Sequence, residues 1–287
     1  MFKGFSNSVI GASHEKRDMV CQDSSAFNVG SSYAIAVVAD GHGSKKHFRS
    51  NMGSKFAVEA TVETIERFYA DTEKFEDNFP RNHKMIIQNI QKQIISCWNA
   101  KVAEHIRTTP VTVEEKSTFT PEEFEKIPVE SYYGTTLVAA VTGSDYTFGF
   151  QIGDGSLVGV FEDGETEMLI DYEESNPANI TSSICNSNAA SMFDSFYVNN
   201  RKLLALFVST DGLYTSFGSD KDFLDYHTII SGQLSESDSF EDAVVKNLRK
   251  RAHFGTEDDI SLSCVYDYDL IRQKSDVLKK KIEENKK

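Results

Sequence analysis

Residues 34–39, Ala-Ile-Ala-Val-Val-Ala, form an unbroken apolar run that stops at Asp40-Gly41-His42-Gly43. A short run of alanine and β-branched residues ending in turn residues predicts a strand buried on both faces. Such a strand must be covered on each side, and the next segment supplies helices. Phe48, Met52, Phe56 and Ala60, with Ala57, Ile65 and Phe68 slightly offset, recur at three- and four-residue intervals, which predicts an amphipathic helix over about 45–70. A second helix is predicted to start near Asn82, a good cap, with Met85, Ile87, Ile90, Ile94, Trp98 and Val102 on one stripe.

Residues 108–131 hold three of the five prolines and many carboxylates without a sustained period. They read as a surface excursion with one short helix, where Thr120 and Glu123 form a capping box. Strands then follow in close succession within 134–143, 146–155 and 156–165, with Asp163-Gly164 as a hairpin turn. Polar, asparagine-rich residues 171–200 predict an irregular flap. Residues 202–212 give another buried strand ending in Asp-Gly. Two helices are expected next, from Ser219 through Ile230 and from Ser239, with Asp242 completing a capping box, to Gly255. The last strand alternates Ile260, Leu262, Cys264 and Tyr266 on one face. Strands come in runs and helices in pairs between them, an order that argues for an α+β fold of antiparallel sheets covered by helices.

Length and composition bound the function. A chain of 287 residues with few prolines and no glycine- or serine-rich run shows no interdomain linker, so one domain over 1–270 is expected, followed by a charged helix or frayed tail at 271–287. The net charge of -14, with basic residues clustered only near the C-terminus, opposes binding to a phosphate backbone and argues against nucleic acid. The cysteines Cys21, Cys97, Cys185 and Cys264 are widely spaced, which suggests neither a zinc knuckle nor a disulfide framework and fits a reducing compartment. The start lacks the apolar stretch of a signal peptide and no window approaches a membrane span, so a cytoplasmic location is expected.

Several apolar runs end or begin at aspartates: Asp40, Asp154, Asp211, and the pair Asp258-Asp259, with Asp23 just ahead of the first core strand. Glycine beside three of them allows the sharp turn that aims a side chain out of a sheet. Clustered carboxylates repel one another and lose hydration, so such a set is tolerable only if it shares protons or binds cations. An all-oxygen ligand set points to hard ions, Mg2+ or Mn2+.

The ordered series Asp40-Gly-His-Gly, Gly134-Thr-Thr, Gly153-Asp-Gly-Ser, Ser209-Thr-Asp-Gly and Asp258-Asp-Ile-Ser resembles the metal-dependent serine/threonine protein phosphatases of type 2C, the PPM family, from about Gly11 to Tyr268. Gly11-Ala-Ser-His14 followed by Cys21-Gln-Asp looks like the bacterial branch. The resemblance implies a four-layer α/β/β/α sandwich with metals in a cleft at one end. It further implies that Asp40 bridges two catalytic ions, that the Gly41 carbonyl assists, and that Asp211 and Asp258 complete the ligand set. By the same resemblance Asp154 helps hold a third ion, Asp23 touches metal-bound water, and His42 protonates the departing serine or threonine oxygen. A hydroxide between two metal ions would attack phosphorus in line, with no phospho-enzyme. A phosphorylated protein, opposing a serine/threonine kinase, would be the substrate.

The pattern departs from the family in four places. Gln22 replaces the usual glutamate before Asp23, and Asp259 stands where asparagine is usual, so both are candidates to support or substitute for ligands. Asp18 occupies the position of the arginine that often grips phosphate, leaving Arg17, Lys16 or His14 as candidates. The family's Ser-Arg after Asp154 is Gly155-Ser156. Two alternatives therefore stay open: a catalytically weak metal-binding regulatory module of the same fold, and a two-metal phosphohydrolase of small phosphate esters.

Overall fold

Because apolar strands alternate sides, each core strand must find two partners, and this fold supplies a second sheet on one face and helices on the other. A computed structural model describes residues 1–170, 181–235 and 240–286. Among these residues the strands are β1 (Phe2–Val9), β2 (Ser24–Val29), β3 (Ala34–Ala39), β4 (Leu137–Thr142), β5 (Thr147–Ile152), β6 (Ser156–Phe161), β7 (Thr166–Met168), β8 (Asp194–Val198), β9 (Leu203–Ser209) and β10 (Ile260–Asp267). They form two antiparallel sheets, in the orders β1-β10-β9-β6-β7 and β2-β3-β4-β5-β8. The fold is α+β.

The facing surfaces of the sheets are built largely from small and branched residues: Ala34, Ala36, Val38 and Ala140 on one, Leu206, Val208 and Val265 on the other. On the outer face of the second sheet, Ile35, Val37 and Ala39 pack under helices Ser50–Phe68 and Thr72–Thr108, where Trp98 is fully buried and donates to the Gly53 carbonyl at 3.0 Å. Helices Asp220–Gln233 and Phe240–Phe254 cover the first sheet, with Phe223 and Leu248 fully buried beside Phe207 and Leu262. All six residues of β3 are buried, as a strand covered on both faces requires.

Register decides where the aspartates emerge. Val38 pairs with Val138 and Leu137 with Ile152, so Asp40 and Asp154, each two residues past its strand position, leave the second sheet at the same end. In the first sheet Ser209 lies opposite both Ser156 and Leu262, which brings Asp211 and the residues ahead of β10 to that end as well.

The structure departs from the sequence reading in several elements. The first long helix begins at Ser50, after a 3-10 turn at Lys45–His47. The second begins at Thr72, capped by Asp71, and continues through Asn82, where the backbone is non-helical (φ -126°, ψ 20°). Pro80, two residues earlier, removes a helical donor and accounts for a kink there. Asn82 donates to the Asn78 side chain rather than capping a new helix. Met85 is exposed, and Ile86 and Ile87 are buried in its place.

Strands β1, β2 and β8 were not anticipated. All three are sheet edges with polar, partly exposed residues, so their apolar signal is weak. β8 replaces part of the expected flap with regular structure; residues 171–180 of that flap, and the Ser239 cap, lie outside the described residues. The capping box at Thr120 and Glu123 is formed, and an unpredicted one at Thr112 and Glu115 starts a further helical turn. The hairpin at Asp163-Gly164 is present, with Gly164 at φ +88°. The C-terminal segment, expected as a charged helix or a frayed tail, is a helix, Ser275–Asn285. It is docked through the fully buried Leu278 and through hydrogen bonds of Asn285 with Asp225 and Lys221. The four cysteines are unpaired.

Candidate metal centre

A polar cavity of about 360 Å³ opens at the strand end where the aspartates emerge. Asp40, Gly41, His42, Asp154, Asp211 and Asp258 line it, together with Gln22, His14, Arg17 and Asp259. Asp40 is fixed through its own backbone: its N–H donates to Thr136 Oγ1 at 3.0 Å, and its carbonyl accepts from Thr135 Oγ1 at 2.7 Å and from the Thr136 N–H at 2.8 Å. The Thr135-Thr136 hydroxyls thus brace the turn. Gly41 must be glycine, because a Cβ there would sit 2.6 Å from the Gln22 carbonyl oxygen and 2.8 Å from the backbone of Ser50. The close approach lets the Gly41 N–H donate to that Gln22 carbonyl and keeps the His42 loop tight against it.

The carboxylates crowd one another. Burial first, then the charges of Asp23, Asp211 and Asp258, push Asp40 well above the usual carboxylate range. Burial and Asp154 raise Asp211 to about 6, and its carboxylate lies close enough to Asp40 for the two to share a proton. Among the described residues no three acidic, histidine or cysteine side chains form a ready-made ligand cluster, so the aspartates surround the cavity rather than closing on a point.

Two buried polar atoms at the cavity wall lack a hydrogen-bond partner among the described residues: Gln22 Oε1 and His42 Nε2. An orphaned amide oxygen beside crowded, proton-hungry carboxylates is a donor set suited to a hard divalent cation with its waters, and the residues present fit Mg2+ or Mn2+.

The remaining predicted residues separate into those inside the cavity and those behind it. Asp23 is buried, accepts from Thr210 Oγ1 at 2.8 Å and does not line the cavity, although its charge reaches Asp40. Asp259 is committed to the chain itself: its carboxylate accepts from the Gly11 N–H (2.7 Å), the Gln22 N–H (2.6 Å) and His14 Nδ1 (2.9 Å). That tie sews the N-terminal loop to the start of β10, so Asp259 supports the site rather than supplying a free ligand. His14 is correspondingly buried and engaged, and Lys16 is exposed, paired with Glu257 at 2.9 Å and outside the cavity. Of the three phosphate-gripping candidates, Arg17 alone lines the cavity without an acidic partner among the described residues; its Nε donates to the Ser13 carbonyl at 3.0 Å.

His42 has a neighbour in His47. The His47 ring lies 5.0 Å away, and its Nδ1 contacts the Ser131 carbonyl. Burial, His47 and Lys46 lower the His42 pKa to about 4, so its imidazole is neutral at pH 7 in this form. The spacing of His47 from His42 carries no sequence signal, because the contact is made by the fold around Gly134, where a Cβ would overlap the His47 ring.

Residues 10–250 match the family model of protein phosphatase 2C. The chain belongs to the protein phosphatase 2C family. No curated protein sequence matches it. Among solved structures it is similar to a bacterial serine phosphatase (14% identity over 93% of this chain and 98% of that one, TM-score 0.57). It is also similar to the S. agalactiae serine/threonine phosphatase (18% identity, 93% and 99% covered, TM-score 0.53). A third similar structure is the catalytic domain of the serine/threonine protein phosphatase PstP in complex with two manganese ions (12% identity, 92% and 97% covered, TM-score 0.53). At these identities the likeness is one of fold. The four-layer arrangement expected from the resemblance is the architecture seen. In this protein phosphatase 2C chain the position of the family's arginine is taken by Asp18, whose backbone is left-handed (φ 54°), which is tolerated more readily by aspartate than by branched residues. No helix among the described residues is long and apolar enough to cross a membrane.

Proposed function

We propose that this protein is a Mg2+- or Mn2+-dependent phosphatase acting on phosphoserine or phosphothreonine in proteins. The observation that carries the reading is the convergence of Asp40, Asp154, Asp211 and Asp258 on one polar cavity that also holds an unpartnered amide oxygen and an unpartnered imidazole nitrogen. Asp40, Asp211 and Asp258, with the Gly41 carbonyl, would hold two ions, Asp154 a third, and Gln22 an attached water. Bound there, Mg2+ or Mn2+ supplies an activated water and neutralises phosphate charge.

The chain's own groups do the rest. Arg17, at the cavity wall, offers a guanidinium to the phosphate oxygens in place of the missing family arginine. His42 is neutral before substrate arrives, and an incoming phosphate dianion favours its charged form, so proton and substrate enter together. It can then give that proton to the serine or threonine oxygen as the P–O bond breaks. Asp259 and His14 act behind the site, fixing the loop that carries Arg17 and Gln22. The reading extends to a soluble cytoplasmic enzyme opposing a serine/threonine kinase, supported by the charge, the unpaired cysteines and the family.

The second reading, hydrolysis of small phosphate esters, is favoured by one observation, the modest volume of the cavity. Turnover of a phosphothreonine peptide and of a panel of sugar and nucleoside phosphates, compared in Mn2+, separates them. A kcat/KM for the peptide at least tenfold above every metabolite supports the protein phosphatase, and the reverse order replaces it with the small-ester reading.

A further inference from the structure

A second depression, of about 970 Å³, adjoins the metal cavity and shares His42, Gly43 and Thr181 with it. Its other lining includes Lys46, Ile95, Asn99, Glu130, Ile184 and Asn186. The lining mixes apolar Ile95 and Ile184 with polar side chains and carries one lysine, Lys46, and one carboxylate, Glu130. We infer that this groove receives the polypeptide flanking the phosphorylated residue, with an acidic side chain next to the phosphoresidue facing Lys46. The inference rests on the protein phosphatase reading above and deepens it.

Continuity with the cavity is the first argument. A phosphoresidue seated at the aspartates has neighbours about 3.3–3.6 Å apart per residue along an extended chain. Three residues on one side therefore span about 10 Å, and the residues lining both depressions, His42 and Thr181, mark where the cavity passes into the groove. Thr181 itself is fixed there by a 2.9 Å hydrogen bond from its hydroxyl to Asp154.

Construction of the walls is the second argument, since each is pinned to the core and not left to a loose loop. Residues 183–186 are tied to Thr135: the Ile184 N–H donates to the Thr135 carbonyl at 3.0 Å, and Ser183 Oγ both donates to that carbonyl and accepts from the Thr135 N–H. The wall at 130–131 is the end of the 108–131 excursion, which Arg49 clasps. Arg49 is 5% exposed, and its guanidinium donates to both Glu115 oxygens (2.7 and 2.8 Å), to the Thr109 and Pro110 carbonyls (2.7 and 3.1 Å) and to Tyr133 Oη (3.0 Å). Every guanidinium donor is used, and all of them hold the excursion against the helix that follows the His42 loop. Phe48 continues the seam against Phe119 and Tyr132. An excursion that looked like surface loop in the sequence is therefore a fixed wall beside the site.

Charge placement is the third. Lys46 and Glu130 both line the groove, and both act on Cys185 within it. Lys45, one residue earlier, faces away to Glu123 and Phe119.

The test uses the full chain with Mn2+ and three substrates: p-nitrophenyl phosphate and two nine-residue phosphothreonine peptides, one with aspartates and one with lysines beside the phosphoresidue. Asn99 is exposed and Ile95 half-buried, so Asn99→Arg and Ile95→Arg place bulk in the groove, and the agreement of two variants guards against misfolding of one. Both should raise KM for the peptides about tenfold or more and leave kcat/KM for p-nitrophenyl phosphate within about twofold. Lys46→Glu should reverse a preference for the acidic peptide. Peptide and p-nitrophenyl phosphate turnover falling together, or no change in either, overturns the groove. Wild-type protein that turns over p-nitrophenyl phosphate but neither peptide overturns the protein phosphatase reading itself, and that arm is read before any variant.

Discussion

Without a cation, the carboxylates of the cavity should make the protein more stable as the pH falls from 7.5 to 5.0. A carboxyl whose folded pKa lies above its unfolded one destabilises the fold once the pH exceeds the folded value, and the penalty is relieved as the pH drops below it. For Asp211 the rise from 3.8 to about 6 corresponds to about 3 kcal/mol at neutral pH, at 1.36 kcal/mol per tenfold change in proton affinity. Titrating to pH 5.0 recovers roughly half of that, about 1.4 kcal/mol, because the unfolded carboxyl stays ionised there. Asp40 and Asp23 are raised further by burial and mutual charge and act in the same direction. Glu115 beside Arg49 and Glu63 beside Lys101, whose folded pKa is depressed, oppose the trend only below about 4.5, but the buried histidines His42 and His227, lowered to about 4, oppose it within this window, because the unfolded imidazole takes up a proton that the folded one does not. At roughly 2–4 °C per kcal/mol for a chain of this size, the midpoint of thermal unfolding in EDTA, taken relative to that of Asp211→Asn so that the histidines cancel, should rise by at least about 3 °C between pH 7.5 and 5.0. Saturating Mn2+ at pH 7.5 should raise it as well, by relieving the same repulsion and by mass action. Scanning calorimetry or dye-monitored melting in EDTA and in Mn2+ makes the measurement. A midpoint in EDTA that, relative to Asp211→Asn, is flat or falls over this window, with no response to Mn2+ at pH 7.5, would refute the electrostatic reading of the cavity.

Other outcomes follow from the same contacts. Glu115→Ala leaves the Arg49 guanidinium buried without a counter-charge and should cost about 3 kcal/mol; Arg49→Ala leaves a carboxylate that water can reach and should cost about 2 kcal/mol, measured by urea unfolding. Gly41→Ala drives a methyl into the Gln22 and Ser50 backbone, so it should lower stability by about 1–3 kcal/mol and reduce Mn2+ affinity, read by melting and by calorimetric titration. His42→Ala should slow a phosphothreonine peptide about a hundredfold and p-nitrophenyl phosphate far less, since nitrophenolate departs without a proton; equal losses would remove His42 from the acid role.

Much of this molecule was legible in the sequence, and the limits are physical. Apolar strands β3, β5 and β9 run into Asp40, Asp154 and Asp211, and β10 starts just after Asp258-Asp259, so composition alone located both the core and the cavity rim. The edge strands β1, β2 and β8 were missed because one side faces solvent and their residues are polar. Asp40, Asp154, Asp211 and Asp258 were found because glycine or a strand end marks each of them. The commitment of Asp259 to Gly11, Gln22 and His14 was not legible, since it joins residues separated by 237–248 positions in the chain. Arg49 was invisible for the same reason: its partners lie 60–84 residues away, in a segment whose prolines and carboxylates resemble loop. Local pattern reports which residues are buried; only the fold reports which of them meet.

The most direct test of the central claim is phosphate release from a phosphothreonine peptide in Mn2+, in Mg2+ and in EDTA, with wild-type protein and Asp211→Asn side by side. Turnover that requires the metal, vanishes in EDTA, and is lost by at least about a hundredfold in Asp211→Asn with its fold intact is the predicted result. Turnover that survives EDTA or the Asp211→Asn substitution, or its absence from folded wild-type protein in either metal, would contradict the account.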